Sequence, residues 1–453
     1  MEKKYKILSL DGGGSWAILQ VLTLKDIFLK RYPNKKIKGH EVLRHFDLVI
    51  ANSGGSMVLA ALACNWTFDD IIKLFDDKEI REKIFTKLNF SQKYFPANFM
   101  SLFGVKSVGT RYSTTAKKKA LEDILIIDNM KRLNDVTLSE LPKIIGKESL
   151  EIVVTTFDII NKRAKFFRSN MDSKARAEVV AGLDHFEQVS LVGAIHGASN
   201  APVNYFDFPA VLVPKIKGLI NKRRRYLWDG ALSGFNNPIM AGLTEAFANN
   251  INRENIHVLS IGTAGKLISN EDSDNFRDQY YSTLLGKKII RTEDGGKIDF
   301  DKTLNWKVLG FRIKKPKVFF RLFKGGRFYS SIISNLSQSI LFEPQSWASY
   351  SAYTSLFSGR IDNANENNRR FIRLSPQIIK ENNSNELINK LYDLDMDVTK
   401  QDEIQLLKSC YDEWKKGTIK NEPVQWTKTI HGDYIFAKGH QHYVDALSDL
   451  NWL

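Results

Sequence analysis

The chain has 453 residues, and its 66 Lys and Arg against 51 Asp and Glu give a formal net charge of +15 at pH 7. Hydrophobic residues make up 43% and charged residues 26% of the chain, which excludes a disordered chain, a fibrous repeat and a disulfide-stapled miniprotein. The two cysteines, Cys64 and Cys410, lie far apart and have no partnered Cys or His spacing, so we expect neither disulfides nor a structural metal.

No segment of the sequence predicts a membrane span. The longest clean apolar run, about 57–64, is much shorter than a bilayer requires, and the N-terminus lacks the apolar core of a signal peptide. We therefore expect a cytoplasmic protein. Its sequence pI of about 9.4 suits an acidic partner, either nucleic acid or an anionic lipid surface.

Strands and helices alternate in the first half of the sequence. Apolar runs predict strands over 5–10, 46–51, 150–157 and 256–261, and the helical spacing of apolar residues predicts helices over 17–31 and 57–64. This alternation is typical of an α/β fold, in which a mostly parallel central sheet is covered by helices on both faces, giving three layers. We expect the largely helical segment 66–148 to form a cap or lid inserted between strands.

The segment 50–55 reads IANSGG and lies between a predicted strand and a predicted helix, which is the context of a nucleophile elbow. The tight turn requires very small residues two before and two after the serine, and Ala51 and Gly55 meet that need. Ser53 is therefore a candidate nucleophile. A Gly/Ser turn used only for close packing is the alternative.

A second glycine-rich turn, 10–16, reads LDGGGSW and again joins a strand to a helix. The backbone N–H groups of Gly12, Gly13 and Gly14 can converge on one point and bind an anion. A dinucleotide-binding loop is disfavoured because no acidic residue follows about twenty positions later, and the Lys of a P-loop is missing. We interpret the turn as an oxyanion hole.

A serine nucleophile requires a base. None of the eight histidines has a motif context that nominates it, and His196, the most tempting, lies in an apolar helix where a structural role is more common. The segment 227–231 reads LWDGA, and an Asp-Gly pair alone is usually only a turn.

Together, these motifs resemble the patatin-like phospholipase family. Asp11 with the three glycines resembles the family's oxyanion motif, the segment 51–55 resembles its G-x-S-x-G elbow, and Asp229-Gly230-Ala231 resembles its Asp-Gly-Gly/Ala motif. The order and spread of the motifs also match, as do the segments 193–202 and 258–263. The resemblance covers about residues 4–265. It implies a three-layer patatin-like fold with a catalytic core over 1–265, including the cap, and a basic, aromatic-rich insertion and C-terminal extension over 266–453.

The resemblance also implies a reaction. Asp229 would accept the proton of Ser53 as the serine attacks a phospholipid ester, and the glycine N–H groups would bind the oxyanion, with no metal or other cofactor. Two departures from the family pattern stand out: Ala51 replaces a glycine, and Trp16-Ala17 replaces the family's Arg-Gly. The missing arginine removes a cation that could influence rate and head-group preference. Hydrolysis or acyl transfer on non-phospholipid esters, and a phospholipase regulated by a nucleotide or protein, are the alternative functions.

Basic segments of the sequence suggest how a lipid surface is reached. A stretch after residue 311 interleaves cations with aromatic residues, which suits an anchor on anionic lipid better than a nucleic-acid site once the lipase motifs are considered. Its candidate contacts are Arg312, Lys314, Lys315, Lys317, Phe319, Phe320 and Arg321. The run 222–225 adds positive charge just before Asp229, and the lysines 117–119 are expected to form a solvated helix face. The histidines near 431–442 show no strong metal-ligand spacing.

Overall fold

The fold was analysed in a computed structural model. It describes residues 3–88, 110–127, 131–175, 187–202, 205–213, 215–216, 224–268, 307–308, 311–312, 344–357, 369–381, 383–428 and 434–453. Most of the predicted lipid contacts, from Lys314 to Arg321, lie outside these residues. Arg312 lies in a short strand pair, 307–308 with 311–312.

One central sheet of eight strands organises the described residues. Its strands are β1 (Tyr5–Leu10), β2 (Leu48–Ala51), β3 (Glu151–Asp158), β4 (Arg163–Arg168), β5 (Ala210–Leu212), β6 (Arg225–Asp229), β7 (Ile256–Ile261) and β9 (Phe371–Leu374). The strand order is β9-β7-β1-β2-β3-β6-β5, and β4 pairs with β3. A smaller sheet is formed by β8 (Gly265–Ile268), β10 (Pro376–Lys380) and β11 (Lys420–Asn421).

The sheet is parallel from β9 to β3 and antiparallel beyond β3. Side chains alternate between its faces, so Ile7, Ile50 and Val153 pack into one apolar cluster while Leu8 and Val49 pack into another. Helices cover both clusters. The three-layer α/β fold with a mostly parallel sheet is therefore confirmed.

The helices of the described residues lie mainly in the connections between strands. They are α1 (Ile18–Arg31), α2 (Gly39–Arg44), α3 (Ser53–Ala63), α4 (Phe68–Asp76), α5 (Lys78–Ile84), α6 (Thr114–Ile124), α7 (Leu141–Ile145), α8 (Leu191–Ala198), α9 (Ile239–Ala248), α10 (Pro344–Leu356), α11 (Glu386–Asp393), α12 (Gln401–Lys416) and α13 (Tyr443–Asp449). Helices α4 to α7 fall in the segment expected to be a helical insertion. No helix among the described residues is both long and apolar enough to cross a membrane.

The C-terminal segment contributes directly to the central sheet. Strand β9 begins more than a hundred residues after residue 265, where we placed the end of the core, and it pairs with β7 in parallel register. Helix α12 packs its buried Trp414 and Cys410 into the cluster that also holds α1 and α3. The described part of the extension is therefore built into the same hydrophobic core.

Candidate active site

The turn after β2 has the geometry of a nucleophile elbow. Strand β2 ends at Ala51, and α3 begins at Ser53, whose φ of 46° lies in the left-handed region that non-glycine residues rarely adopt. A Cβ atom on Gly55 would lie 2.4 Å from the carbonyl oxygen of Leu10, so β1 approaches the turn too closely for a side chain. These contacts hold Ser53 in the strained conformation, which costs about 1–3 kcal/mol in isolation.

The sheet register brings Asp229 to the serine. Strands β2 and β6 pair with the same edge of β3, one after the other. Ala51 of β2 lies opposite Val154, and Asp229 of β6 lies opposite Thr156. Since β6 runs antiparallel to β3, its last residue lies just beyond the end of β2. The hydroxyl of Ser53 is near enough to the carboxylate of Asp229 to lower its pKa as a hydrogen-bonding partner. The structure thus brings together two candidate residues that are far apart in the sequence.

The carboxylate of Asp229 is buried and held by two further donors. Asn52 Nδ2 and the backbone N–H of Ala231 each donate to Oδ1 at 3.0 Å. Thr155 Oγ1 donates to Asn52 Oδ1 at 2.7 Å and so fixes the orientation of the Asn52 amide. Burial raises the pKa of Asp229 above its ordinary value, while the hydrogen bonds and the charge of Lys117 oppose that rise. The sequence showed Asn52 within the motif but gave no sign of its role.

The glycine turn lies beside the elbow, because Leu10 of β1 pairs with Ala51 of β2. Gly13 and Gly14 have φ angles of 147° and 57°, and neither N–H has an acceptor among the described residues. The N–H of Gly12 instead donates to the carbonyl oxygen of Asn236 at 2.7 Å. The prediction that Gly12 is an oxyanion donor is corrected by this bond, because an N–H that already has an acceptor is not free. Two candidate donors remain.

The comparisons with known proteins agree with this arrangement. The family model for the patatin-like phospholipases matches residues 8–243, which is just over half of the 453-residue chain and spans all three motifs. The chain belongs to the patatin-like phospholipase family. Membership in this family supports lipid hydrolase activity.

The other comparisons add little to the family assignment. Among solved structures, VipD from Legionella pneumophila is similar at 12% identity over 91% of this chain and 67% of that chain, with a TM-score of 0.33. No curated protein sequence matches the chain.

A buried ion cluster lies under the glycine turn of this patatin-like chain. Arg373 of β9 contacts Asp11 Oδ2 at 2.7 Å and Glu422 at 2.8 Å, and all three side chains are almost completely removed from solvent. Burial raises the pKa of Asp11 to about 7 even though Arg373 opposes the rise. The backbone oxygen of Asp11 accepts the N–H of Gly55 at 3.0 Å, so the cluster stabilises both turns of the site. Sequence reasoning missed Arg373, which lies in a different segment from the motifs.

A mostly apolar cavity of about 110 Å³ opens from the candidate nucleophile. Ser53, Gly54 and Gly14 line one part, and helices α3 to α6 supply most of the remaining wall. A C-terminal strap, which we define as residues 395–399, also contributes, since Met396 lines the cavity and its carbonyl oxygen accepts the N–H of Ser15 at 2.9 Å. Most of the side chains that line the cavity are apolar and few are charged, which suits an acyl chain.

The strap is fixed by several polar contacts. Arg111 contacts Asp395 at 2.9 Å and Asp397 at 2.8 Å, and Tyr205 donates to Asp395 at 2.6 Å. Trp16, which replaces the family's arginine, donates from Nε1 to the carbonyl oxygen of Asp395 at 3.0 Å. Trp16 therefore ties the glycine turn to the strap.

Three other expectations have different outcomes. His196 is buried in α8, where burial lowers its pKa well below the ordinary value, and it carries no assigned part in the site. Lys117 is 1% exposed, so the prediction of a solvated face over 117–119 is wrong for this residue. His431 lies outside the described residues, and His440 contacts Asp449 at 3.0 Å.

Proposed function

We propose that this protein hydrolyses carboxylic esters of glycerophospholipids through an acyl-enzyme on Ser53, with Asp229 as the general base. The observation that carries the proposal is the placement of Asp229 beside Ser53: Asn52, the residue before the serine, donates to Asp229 Oδ1 at 3.0 Å, and Ser53 itself lines an apolar cavity. The conformation of Ser53 and the free N–H groups of Gly13 and Gly14 support the same reaction.

The proposed steps follow from these positions. Asp229 takes the hydroxyl proton as Ser53 Oγ bonds to the ester carbonyl carbon, and the N–H groups of Gly13 and Gly14 bind the resulting oxyanion. The carbon–oxygen bond to the alcohol then breaks, and Asp229 returns its proton to the departing oxygen. A water molecule gives a proton to Asp229 and attacks the acyl carbon. Release of the fatty acid restores the hydroxyl of Ser53.

Two substitutions and one label test the dyad. We expect Ser53→Ala to abolish both ester hydrolysis and covalent labelling by a fluorophosphonate, and Asp229→Ala to reduce hydrolysis by about 10³-fold or more. Ser355→Ala is the matched control, because this serine lies in α10 and its hydroxyl donates to the carbonyl oxygen of Ser351 in the same helix. Substantial turnover by purified Ser53→Ala protein would contradict the proposal.

We also propose that the protein works at an anionic membrane surface. Past Asp229, the end of the sheet is formed by the turn between β3 and β4 and by the first residues of β6. Exposed apolar and basic residues meet there: Ile160 is 68% exposed and Val213 is 43% exposed, and Lys162 and Arg224 are also exposed. Apolar side chains among cations are typical of interfacial contacts with acidic lipid. None of these residues belongs to the basic segment predicted from the sequence.

The substrate class needs its own experiment. Mass spectrometry of lipids from cells that express the wild type or Ser53→Ala should show lysophospholipid and free fatty acid rising only with the wild type. Loss of neutral esters alone would favour a non-phospholipid esterase, and appearance of acylated alcohols would favour an acyltransferase. Activity that needs an added nucleotide or cell extract would favour a regulated phospholipase.

A further inference from the structure

Lys117 places a charge in the wall of the apolar cavity that also contains Ser53. The side chain is 1% exposed, and its Nζ donates to the carbonyl oxygen of His196 at 3.1 Å and to Ser199 Oγ at 3.4 Å. Nζ also lies 4.1 Å from the ring centre of Phe206. A cation in such a position is unusual, because lysine is almost never fully buried unless it is paired.

The position of Lys117 is costly for the fold. It lies in the first turn of α6, whose N-terminus carries the positive end of the helix dipole, and burial lowers its pKa well below the ordinary value. Two contacts offset part of this cost: the bond to His196 in the last turn of α8, where a cation is favourable, and the attraction of Asp229. Groups retained at a cost to stability are often found at functional sites.

The other charged or phenolic groups that line the cavity are already bound to other residues of the protein. Arg81 donates to the carbonyl oxygens of Phe75 and Thr399, and Tyr205 donates to Asp395. Asp397 is held in its ion pair with Arg111. An ammonium has three N–H groups, and two acceptors contact that of Lys117 among the described residues, so one N–H is left for a ligand.

The residues of helix α6 that line the cavity change from polar to apolar along the helix. Lys117, Leu121, Ile124 and Leu125 all line the cavity, and their spacing places them along one side of the helix. At about 1.5 Å per residue, Ile124, the last residue of α6, lies about 10 Å along the axis from Lys117. Lys117 Nζ contacts Ser199, and the next residue, Asn200, accepts the N–H of Asp229 at 3.0 Å, so Lys117 marks the catalytic end and the leucines mark the end suited to an acyl chain.

We propose that Lys117 binds the phosphate of a glycerophospholipid while the adjacent ester lies at Ser53. In such a lipid the sn-2 ester and the phosphate are attached to neighbouring carbons of glycerol, so one catalytic end can hold both groups. A phosphate oxygen would accept the remaining N–H and give the buried ammonium an anionic partner. The inference rests on the proposed lipase function and adds to it a residue that selects phospholipid over neutral ester. Lys117 also supplies a cation, which the glycine motif lacks because Trp16 replaces the family's arginine.

The test compares two substrates with the same acyl chains, dioleoyl phosphatidylcholine and dioleoylglycerol, in identical detergent micelles. Lys117→Met keeps the length and apolar packing of the side chain but removes its charge. We expect it to lower kcat/KM for the phospholipid by about 10- to 100-fold more than for the diglyceride, mainly through KM. Lys117→Arg should recover most of the phospholipid activity. Lys118→Met is the matched control, because this neighbour is 45% exposed and should change neither value.

Each outcome separates the inference from the function on which it rests. If Lys117→Met lowers both activities equally, the lysine only positions α8 and Asp229, and phosphate recognition is overturned. An unchanged phospholipid activity would overturn it as well. If the methionine variant fails to fold, by circular dichroism, Lys117→Gln, which also removes the charge, is compared in the same way: a loss confined to the phospholipid supports contact with the phosphate, and an equal loss for both lipids overturns it. If the wild type cleaves neither lipid, the proposed function itself fails.

Discussion

At Asp229, burial and hydrogen bonding act in opposite directions on the same carboxylate. Burial raises its pKa, whereas donors such as the amide of Asn52 stabilise the ionised form that can accept the serine proton. Asn52 has no proton to transfer under these conditions, so it is a positioning residue that controls the ionisation of the base. Its own orientation depends on Thr155, on the neighbouring strand.

This arrangement predicts the acid limb of the pH profile. Hydrolysis of a soluble short-chain ester should fall as pH decreases through the pKa of Asp229, which lies above the ordinary value for aspartate. Asn52→Ala should move that limb to higher pH by about one unit and lower the plateau about 10- to 100-fold, because one hydrogen bond to a charge is lost. Thr155→Val should shift the limb in the same direction but less. A limb that stays in place in Asn52→Ala would contradict this role.

The sequence nominates Ser53 because the elbow has its own steric requirement, whereas Asp229 is nominated only by the resemblance to the family, since an Asp-Gly pair is usually just a turn. It does not predict Asn52, Arg373 or Lys117 as site residues. Their roles depend on which strands are neighbours and in what register, and a contact such as that between Asn52 and Asp229 spans 177 positions. A single sequence contains no local pattern for such contacts.

Between elements, the approach of β1 to the elbow leaves no room for a side chain at Gly55. Gly55→Ala would place Cβ within 2.6 Å of the carbonyl oxygens of both Leu10 and Asp11, so the turn or β1 must move. We expect a fall in thermal stability and a loss of at least about 10²-fold in ester hydrolysis, since a small displacement of the nucleophile is costly. Both are measured on the purified variant.

Gly234→Ala is the control for the effect of the glycine backbone alone. Gly234 also has a positive φ, 83°, but a Cβ there would meet nothing within 4 Å. Alanine should therefore cost only the left-handed conformation, about 1–2 kcal/mol of unfolding free energy, with little change in kcat. Similar losses of activity in the two variants would refute steric crowding as the reason for glycine at position 55.

The surface at the end of β3 and the start of β6 gives a second test between elements. Replacing Ile160 and Val213 with Asp should reduce sedimentation with vesicles that contain phosphatidylserine by about 10-fold, since both apolar contacts are lost and negative charge is added. Hydrolysis of a soluble ester should not change. The same pair of substitutions at Phe247 and Val444, which are also exposed apolar residues, is the control. Equal effects of the two pairs would contradict a defined lipid-binding surface.

Elements differ in how well the sequence predicts them. Strands β1 and β7 have the predicted bounds, 5–10 and 256–261, because buried parallel strands are continuous apolar runs bounded by turn residues. Strand β6 was not predicted, since its sequence RYLWD begins with charge and ends in an Asp-Gly turn. Its position depends on pairing with β3 and β5, which supply the apolar surroundings that its own sequence does not reveal.

Over the whole molecule, the C-terminal segment and the catalytic motifs form one structure. Strand β9 extends the central sheet, the strap lines the cavity, and Arg373 neutralises the buried Asp11. The net charge of +15 is therefore not only a surface property. At least one of these cations is a partner for carboxylates inside the core, and its removal should affect the entire fold.

Arg373→Met tests this dependence. The variant leaves Asp11 and Glu422 buried without their cation, so we expect the free energy of unfolding in urea to fall by about 3–5 kcal/mol. The loss should also grow with pH. In the wild type the pKa of Asp11 is about 7, above the unfolded value of 3.8, and removing the cation raises it further. When folding raises the pKa of a carboxyl group, the folded state loses stability as the pH rises from the unfolded pKa to the folded pKa. Above the folded pKa the loss stays constant.

The difference between wild type and Arg373→Met should consequently be constant well below the wild-type pKa of about 7 and increase above it, where only the wild type has ionised Asp11 in the folded state. Arg370→Met is the matched control, because Arg370 immediately precedes β9 and contacts Glu254, which is 65% exposed, at 3.4 Å. That pair should be worth less than about 1 kcal/mol at any pH. Equal losses in the two variants, or a loss for Arg373→Met that does not depend on pH, would show that the Asp11 carboxylate does not need this cation.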